Sequence, residues 1–315
     1  MKILIELPTW LGDTIMATPS IENLLVEYSQ AEISILGTSL SIEVFEFHPR
    51  INNKFILDKS LIQVYKLSKK IGSFDIFLSY RNTLRSNFFR LLLSSRRKYS
   101  FNKRKFSNLH QVEKYNSFTN CVLKKDLKAG KLKIYHKEFI NKTKRKKIAI
   151  LNPGASYGSA KCWPIEYYSK LAIALSEKYH LILTGGRSEN SASKKIENSL
   201  IDKGITKYEN MTGKTSLSDL ISLIYYADVF ITGDSGPMHI AAALQIPTIA
   251  IFGPTIPRET SQWMNNYGVI IESQISCRPC MRRQCPLKHH NCMKNITPSQ
   301  VLNKVKKLEK LEGFN

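Results

Sequence analysis

Short strand-like apolar runs alternate with helix-length segments along most of the chain. That alternation restricts the fold to an α/β protein with parallel sheets, because a parallel neighbour can be reached only through a long crossover, usually a helix. In the first half the runs are residues 3–7, 32–36 and 74–79; in the second they are 147–152, 180–184, 228–232 and 248–252. Helices are expected at 14–28, 165–178, 191–200, 217–226 and 237–244. Thr297-Pro298 opens a last amphipathic helix, about 297–312, with Val301, Val305, Leu308 and Leu311 on one face. The basic run Asn141-Lys142-Thr143-Lys144-Arg145-Lys146-Lys147 separates the two alternating blocks. The expected division is therefore 1–145 and 146–315, two Rossmann-like doubly wound domains facing across a cleft at the C-terminal ends of their strands. A length of 315 residues suits two domains of ordinary size.

With 43% hydrophobic and 10% aromatic residues the chain can build ordinary cores, which excludes disorder as its main state. No apolar run reaches the roughly 18–20 residues that cross a bilayer. Met1-Lys2-Ile3-Leu4-Ile5 leads straight into a strand without a leader-like apolar stretch, so a cytoplasmic location is expected. Six cysteines are too few and too unevenly placed for a disulfide scaffold, and reduced thiols are expected there.

The net charge is +22, and it is concentrated: residues 81–147 hold 21 Lys/Arg against three acids, Glu113, Asp126 and Glu138. Such a segment implies an anionic partner, whether nucleic acid, an acidic membrane surface or a phosphorylated substrate. Solvated basic faces are the competing explanation.

Three strand-to-helix turns carry residue types suited to chemistry. The first, Leu7-Pro8-Thr9-Trp10-Leu11-Gly12-Asp13-Thr14, lacks the G-x-G-x-x-G of a dinucleotide site. It places Asp13 at the mouth of the turn, either as an N-cap or as a base; a helix start favours the carboxylate form and weakens it as a base. The second, residues 152–164, offers Gly154 and Gly158 for close backbone approach, the hydroxyls of Ser156 and Ser159, and the charge of Lys161. It reads as a phosphate cradle or as a structural loop. The third, Thr232-Gly233-Asp234-Ser235-Gly236-Pro237-Met238-His239, runs from a strand into a helix start that favours an anion. Asp234 as N-cap and His239 as a packed core residue are its structural alternatives.

At these residues the sequence resembles glycosyltransferase family 9, the bacterial ADP-heptose:lipopolysaccharide heptosyltransferases. The matching pieces are Trp10-Leu11-Gly12-Asp13, Asn152-Pro153-Gly154-Ala155 with Lys161-Cys162-Trp163-Pro164, and Gly233 to His239. The ending Cys277-Arg278-Pro279-Cys280, Cys285-Pro286-Leu287, His289-His290 and Cys292-Met293 is similar to the heptosyltransferase II branch. The resemblance implies a GT-B architecture: an N-terminal acceptor domain, a C-terminal nucleotide-sugar domain, and a terminal helix returning to the first. It also implies Asp13 as general base, Lys161 on the donor phosphates, and Asp234, Ser235, Gly236, Met238 and His239 around the donor sugar and diphosphate. Ser156, Glu189 near the ribose, and Thr212 and Gly213 near the adenine complete the donor set.

The implied reaction is inverting transfer of heptose from ADP-L-glycero-D-manno-heptose to the heptose I residue of the inner core, without a metal or other cofactor. The implied partners are the donor, a phosphorylated lipid A-Kdo-heptose acceptor and the cytoplasmic leaflet of the inner membrane, with no nucleic acid. Heptosyltransferase I, or a family 9 enzyme with another nucleotide sugar, is the nearest alternative. A more distant one is a basic nucleic-acid-binding protein with a zinc site, since Cys277, Cys280, Cys285 and Cys292 with His289 and His290 are zinc-type ligands. Free thiols or a disulfide are the other states open to that cluster.

Overall fold

The computed structural model describes residues 1–57, 60–137 and 147–311, excepting the Leu311 side chain. The chain divides into two compact units, Met1–Lys137 and Glu138–Asn315. The division expected at 145/146, with residues 141–146 of the basic run, lies outside the described residues.

The first unit runs β1 (Lys2–Glu6), α1 (Leu11–Met16), α2 (Thr18–Glu27), β2 (Glu32–Gly37), α3 (Ser39–Glu43), β3 (Ile51–Ile56), α4 (Leu61–Lys70), β4 (Ser73–Ser79), α5 (Leu84–Leu92), β5 (Ser94–Ser100) and α6 (Gln111–Leu123). Its five strands are parallel in the order β3-β2-β1-β4-β5. Ile3, Leu4 and Ile5 in the central strand are fully buried, as expected of a parallel strand covered on both faces. Helix α2 packs against α6, and α4 packs against α5. Val64, Phe77, Phe89 and Leu93 lie in one buried cluster, with Leu67 packed against it.

The helix expected at 14–28 is two helices, joined at Ala17. Pro19 explains the break, since it lacks an N–H and its ring crowds the preceding turn; as the second residue of α2 it needs no partner.

The second unit runs β6 (Ile148–Asn152), α7 (Ile165–Leu175), β7 (His180–Leu183), α8 (Asn190–Ile201), β8 (Tyr208–Asn210), α9 (Leu217–Tyr225), β9 (Val229–Gly233), α10 (Gly236–Ala243), β10 (Thr248–Phe252), α11 (Pro257–Thr260), β11 (Gly268–Glu272), α12 (Asn291–Lys294) and α13 (Pro298–Leu311). Its six strands are parallel in the order β11-β10-β9-β6-β7-β8. Every residue of β9 and β10 is buried.

The terminal helix packs on α7 of its own unit. Val301, Val305 and Leu308 enter the second unit's core beside Trp163, Tyr168 and Tyr179. The apolar spacing read from the sequence is thus satisfied locally; the indole of Trp163 secures the approach by donating to the Ile296 carbonyl at 2.8 Å. No described helix is long and apolar enough to cross a membrane.

Candidate functional site

Each unit gathers functional side chains at the C-terminal ends of its central strands, where a parallel sheet leaves room for a ligand. In the first unit the chain leaves β1 through Pro8-Thr9-Trp10 and turns into α1. Two hydroxyls fix that turn: Thr14 donates to the Pro8 and Trp10 carbonyls at 3.2 and 3.0 Å, and Ser41 donates to Pro8 at 2.7 Å. Asp13 lies in the first turn of α1, but Trp10 holds the cap position and no side chain caps the helix. The cap role weighed for Asp13 is therefore not the one it takes.

The Asp13 carboxylate accepts a hydrogen bond from the Tyr115 hydroxyl at 3.1 Å. Tyr115 stands on α6, whose start is fixed by a reciprocal cap. The His110 ring accepts from the Val112 N–H, and Glu113 accepts from the His110 N–H. Burial, and then the charge of Asp13, push the Tyr115 hydroxyl well above the usual tyrosine range, so it stays a donor. The ring also lies edge-on to Tyr80 at 5.4 Å.

At the floor of the same strand ends, Glu6 is fully buried at the end of β1. Ser79 donates to it at 2.6 Å, Ser86 donates as well, and Arg81 lies 3.6 Å away. Burial pushes the Glu6 carboxyl up and the Arg81 guanidinium down. The rest of the basic segment is largely surface: Arg96, Arg97 and Lys98 are exposed on β5, and Lys103, Arg104 and Lys105 on the short helical turn after it.

In the second unit a polar ladder ties three strand ends. Asn152 at the end of β6 donates to Thr184 at 3.3 Å and accepts from Thr232 at 3.4 Å. The Thr232 and Ser235 hydroxyls lie 2.9 Å apart. Over this floor runs the loop 153–161. Its glycines are required by contact: a Cβ at Gly154 would stand 2.2 Å from Glu189 Cγ, and one at Gly158 would stand 2.4 Å from the Arg283 carbonyl oxygen. Glu189 is thus pressed onto the loop. Ser156 is exposed at the loop's turn.

Lys161 ends this loop in a short 3-10 turn, and its ammonium donates to Asp234 Oδ2 at 2.5 Å and to the Asp234 carbonyl at 3.2 Å. The Tyr157 ring covers it at 4.6 Å. Asp234 is buried in the β9–α10 turn; Ser235, not Asp234, holds the N-cap position of α10. Gly236 and Pro237 open that helix, leaving the N–H groups of Ser235 and Gly236 ahead of the first helical bond, since Pro237 has none, while Met238 and His239 are buried within it. Thr212 donates to Ser193 at 2.7 Å, so its hydroxyl is engaged within the fold. Gly213 takes φ +71° and donates to the Gly185 carbonyl at 2.9 Å.

Two participants were not picked out from the sequence, Tyr115 and Thr255, and Arg278 stood out only within its cysteine motif, without a role. The Thr255 hydroxyl, buried after β10, donates to Asp234 Oδ2 at 2.7 Å, giving that carboxylate a second donor beside Lys161. Arg278 donates to the carbonyls of Gly253, Ser273 and Thr255 at 2.5, 2.7 and 3.4 Å and pairs with Glu272 at 2.7 Å. The segment between β11 and α12 also accepts from Ala160 through Arg283 (3.0 Å) and from Tyr157 through Met281 (2.7 Å). It therefore braces the Lys161 loop and the segment after β10 that carries Thr255.

Cys277, Cys280, Cys285 and Cys292 line one small cavity in this segment. All six cysteines are free thiols, and among the described residues no three His, Cys, Asp or Glu side chains are grouped to hold an ion. Burial, followed by the three neighbouring thiols, pushes the Cys292 thiol up.

Residues 64–291 match the family model described as glycosyltransferase family 9 (heptosyltransferase). Lipooligosaccharide heptosyltransferase 2 of Campylobacter jejuni is 38% identical over 98% of this chain and 99% of that protein. Among solved structures, ADP-heptose lipopolysaccharide heptosyltransferase II of Escherichia coli superposes with a TM-score of 0.81 at 22% identity, covering 99% of both chains. A family 9 glycosyltransferase from Veillonella parvula gives 0.86 at 20% identity, covering 99% of this chain and 98% of that one.

Proposed function

Since the chain belongs to glycosyltransferase family 9, with the GT-B architecture of two Rossmann-like units, we propose that it transfers heptose from ADP-L-glycero-D-manno-heptose to the heptose I residue of a lipopolysaccharide or lipooligosaccharide inner core. The observation that carries the donor half is the buried Lys161–Asp234–Thr255 cluster at the end of β9, beside the first N–H groups of α10. A cation and a helix start side by side suit a diphosphate, and an anchored carboxylate suits sugar hydroxyls.

In this reading Asp13 takes the proton of an acceptor hydroxyl as that oxygen attacks the anomeric carbon from the face opposite ADP, inverting the configuration. Tyr115 holds the carboxylate in place. Negative charge develops on the departing diphosphate, and Lys161 with the amides of Ser235 and Gly236 stabilises it there. These donors are fixed before the reaction, so the chemistry proceeds without a metal ion. Glu189 and Gly213 flank the nucleoside end. The basic residues of the first unit recognise the phosphorylated lipid A-Kdo-heptose acceptor at the cytoplasmic face of the inner membrane.

The test is a transfer assay with ADP-heptose, EDTA and purified core acceptors carrying no, one or two heptoses. Transfer confined to the singly heptosylated acceptor supports the whole reading. Transfer to the acceptor without heptose would reassign the acceptor, and transfer abolished by EDTA would overturn metal independence.

A further inference from the structure

The outward sides of α4 and α5 expose apolar side chains that no core requires. On α5, Leu84 and Leu91 are 91% and 78% exposed; seven residues apart, they share the side opposite the fully buried Phe89. On the adjoining α4, Ile62 is 68% exposed, and Leu61 and Tyr65 are exposed beside it. Single exposed leucines are ordinary; five large apolar side chains exposed on two packed helices are not.

The charge along the two helices is of one sign: α4 and α5 carry Lys66, Lys69, Lys70, Arg85 and Arg90 and no acid. Lys66 and Lys69 are exposed on α4, with the Lys69 ammonium 5.6 Å from the centre of the Tyr65 ring. Apolar tips flanked by uncompensated cations match the chemistry of an anionic bilayer surface, where leucines enter the headgroup boundary and lysines meet lipid phosphates.

We propose that the α4–α5 face is a membrane-docking surface of the first unit, with anionic phospholipid headgroups as its occupant. The proposal rests on the heptose-transfer reading only for its purpose, which is to hold the unit beside a lipid-anchored acceptor. The contact itself follows from the face.

The experiment is co-sedimentation with vesicles of phosphatidylethanolamine and phosphatidylglycerol, compared with vesicles of phosphatidylcholine. The chain should pellet with the anionic vesicles, and binding should weaken as salt rises. Leu84→Gln/Leu91→Gln should lose at least about tenfold in vesicle affinity, and Lys66→Gln/Lys69→Gln about fivefold per residue. Since all four side chains are exposed, the melting temperature should stay at the parent value. The leucine variant should also keep full transfer to a deacylated, water-soluble acceptor while losing transfer to the same core embedded in vesicles.

Equal binding to phosphatidylcholine, or undiminished binding by the leucine variant, would overturn the proposal. So would a dimer in sedimentation velocity that the leucine variant abolishes, since the face would then belong to a second copy. Vesicle binding is measured without donor or acceptor, so its failure is distinguishable from failure of the heptose-transfer reading.

Discussion

The Lys161 ammonium and the Asp234 carboxylate meet at 2.5 Å across 73 residues of sequence, with both side chains largely buried. A diphosphate arriving at this site meets a cation already engaged by a carboxylate. Removing the two partners should therefore act in opposite directions on ADP binding. Lys161→Ala is expected to weaken ADP by about 10–100-fold, the scale of a hydrogen bond to a charged group. Asp234→Asn is expected to leave ADP affinity equal or tighter. Calorimetric titration of both variants decides it, and parallel losses would remove competition from the account.

Asp13 and Tyr115 separate chemistry from binding. Asp13→Ala should keep ADP-heptose affinity and lose about 10²–10⁴-fold in transfer rate, the usual weight of a general base. Tyr115→Phe, which deletes one hydrogen bond to that carboxylate, should lower the rate by about fivefold. Single-turnover rates beside equilibrium donor titrations provide the comparison; unchanged transfer in Asp13→Ala would exclude it as the base.

Glu6 and Arg81 are buried together under the first unit's strand ends. Removing one partner of a buried pair leaves the other without its counter-charge, so Arg81→Met should destabilise the first unit by about 3 kcal/mol. The double variant Glu6→Gln/Arg81→Met should recover most of that loss. Urea unfolding of the four members of the cycle measures the coupling, and additive effects would show that the pair contributes none.

Tyr80 links pH to stability. Burial pushes its hydroxyl up to about 12, against about 10 in the unfolded chain, while hydrogen bonds with Ser20 and Thr119 partly offset the shift. Its contribution is fully present below pH 10 and is lost as pH rises from 10 to 12, because the unfolded chain releases the proton first. The expected fall is about 2–3 kcal/mol. Tyr80→Phe should flatten the stability curve over that window, and an identical slope in the variant would locate the effect elsewhere.

The strands read from the sequence are the central ones; the strands it did not disclose, β3, β5, β8 and β11, are the edges of the two sheets. An edge strand has one neighbour and, in β5, a largely exposed or half-buried face, so Ser94-Ser95-Arg96-Arg97-Lys98 presents no apolar pattern to recognise. Central strands such as β9 and β10 are buried throughout and read as continuous apolar runs. The site divides similarly. Asp13, Lys161 and Asp234 sit in short strand-to-helix turns whose composition is visible locally. Tyr115 and Thr255 act on them from other elements, Tyr115 across 102 residues, and nothing in their own neighbourhoods marks them, whereas Arg278 stands in the Cys277-to-Cys280 motif but reaches the site only through Thr255.

The packing of α13 sets an order of events during synthesis. The buried positions of the first unit are complete by Leu132, whereas the second unit's core still awaits Val301, Val305 and Leu308. At about 5–20 residues per second, a ribosome needs roughly 9–35 s to cover that interval. The first unit can therefore mature while the second unit's core still lacks the side chains of α13.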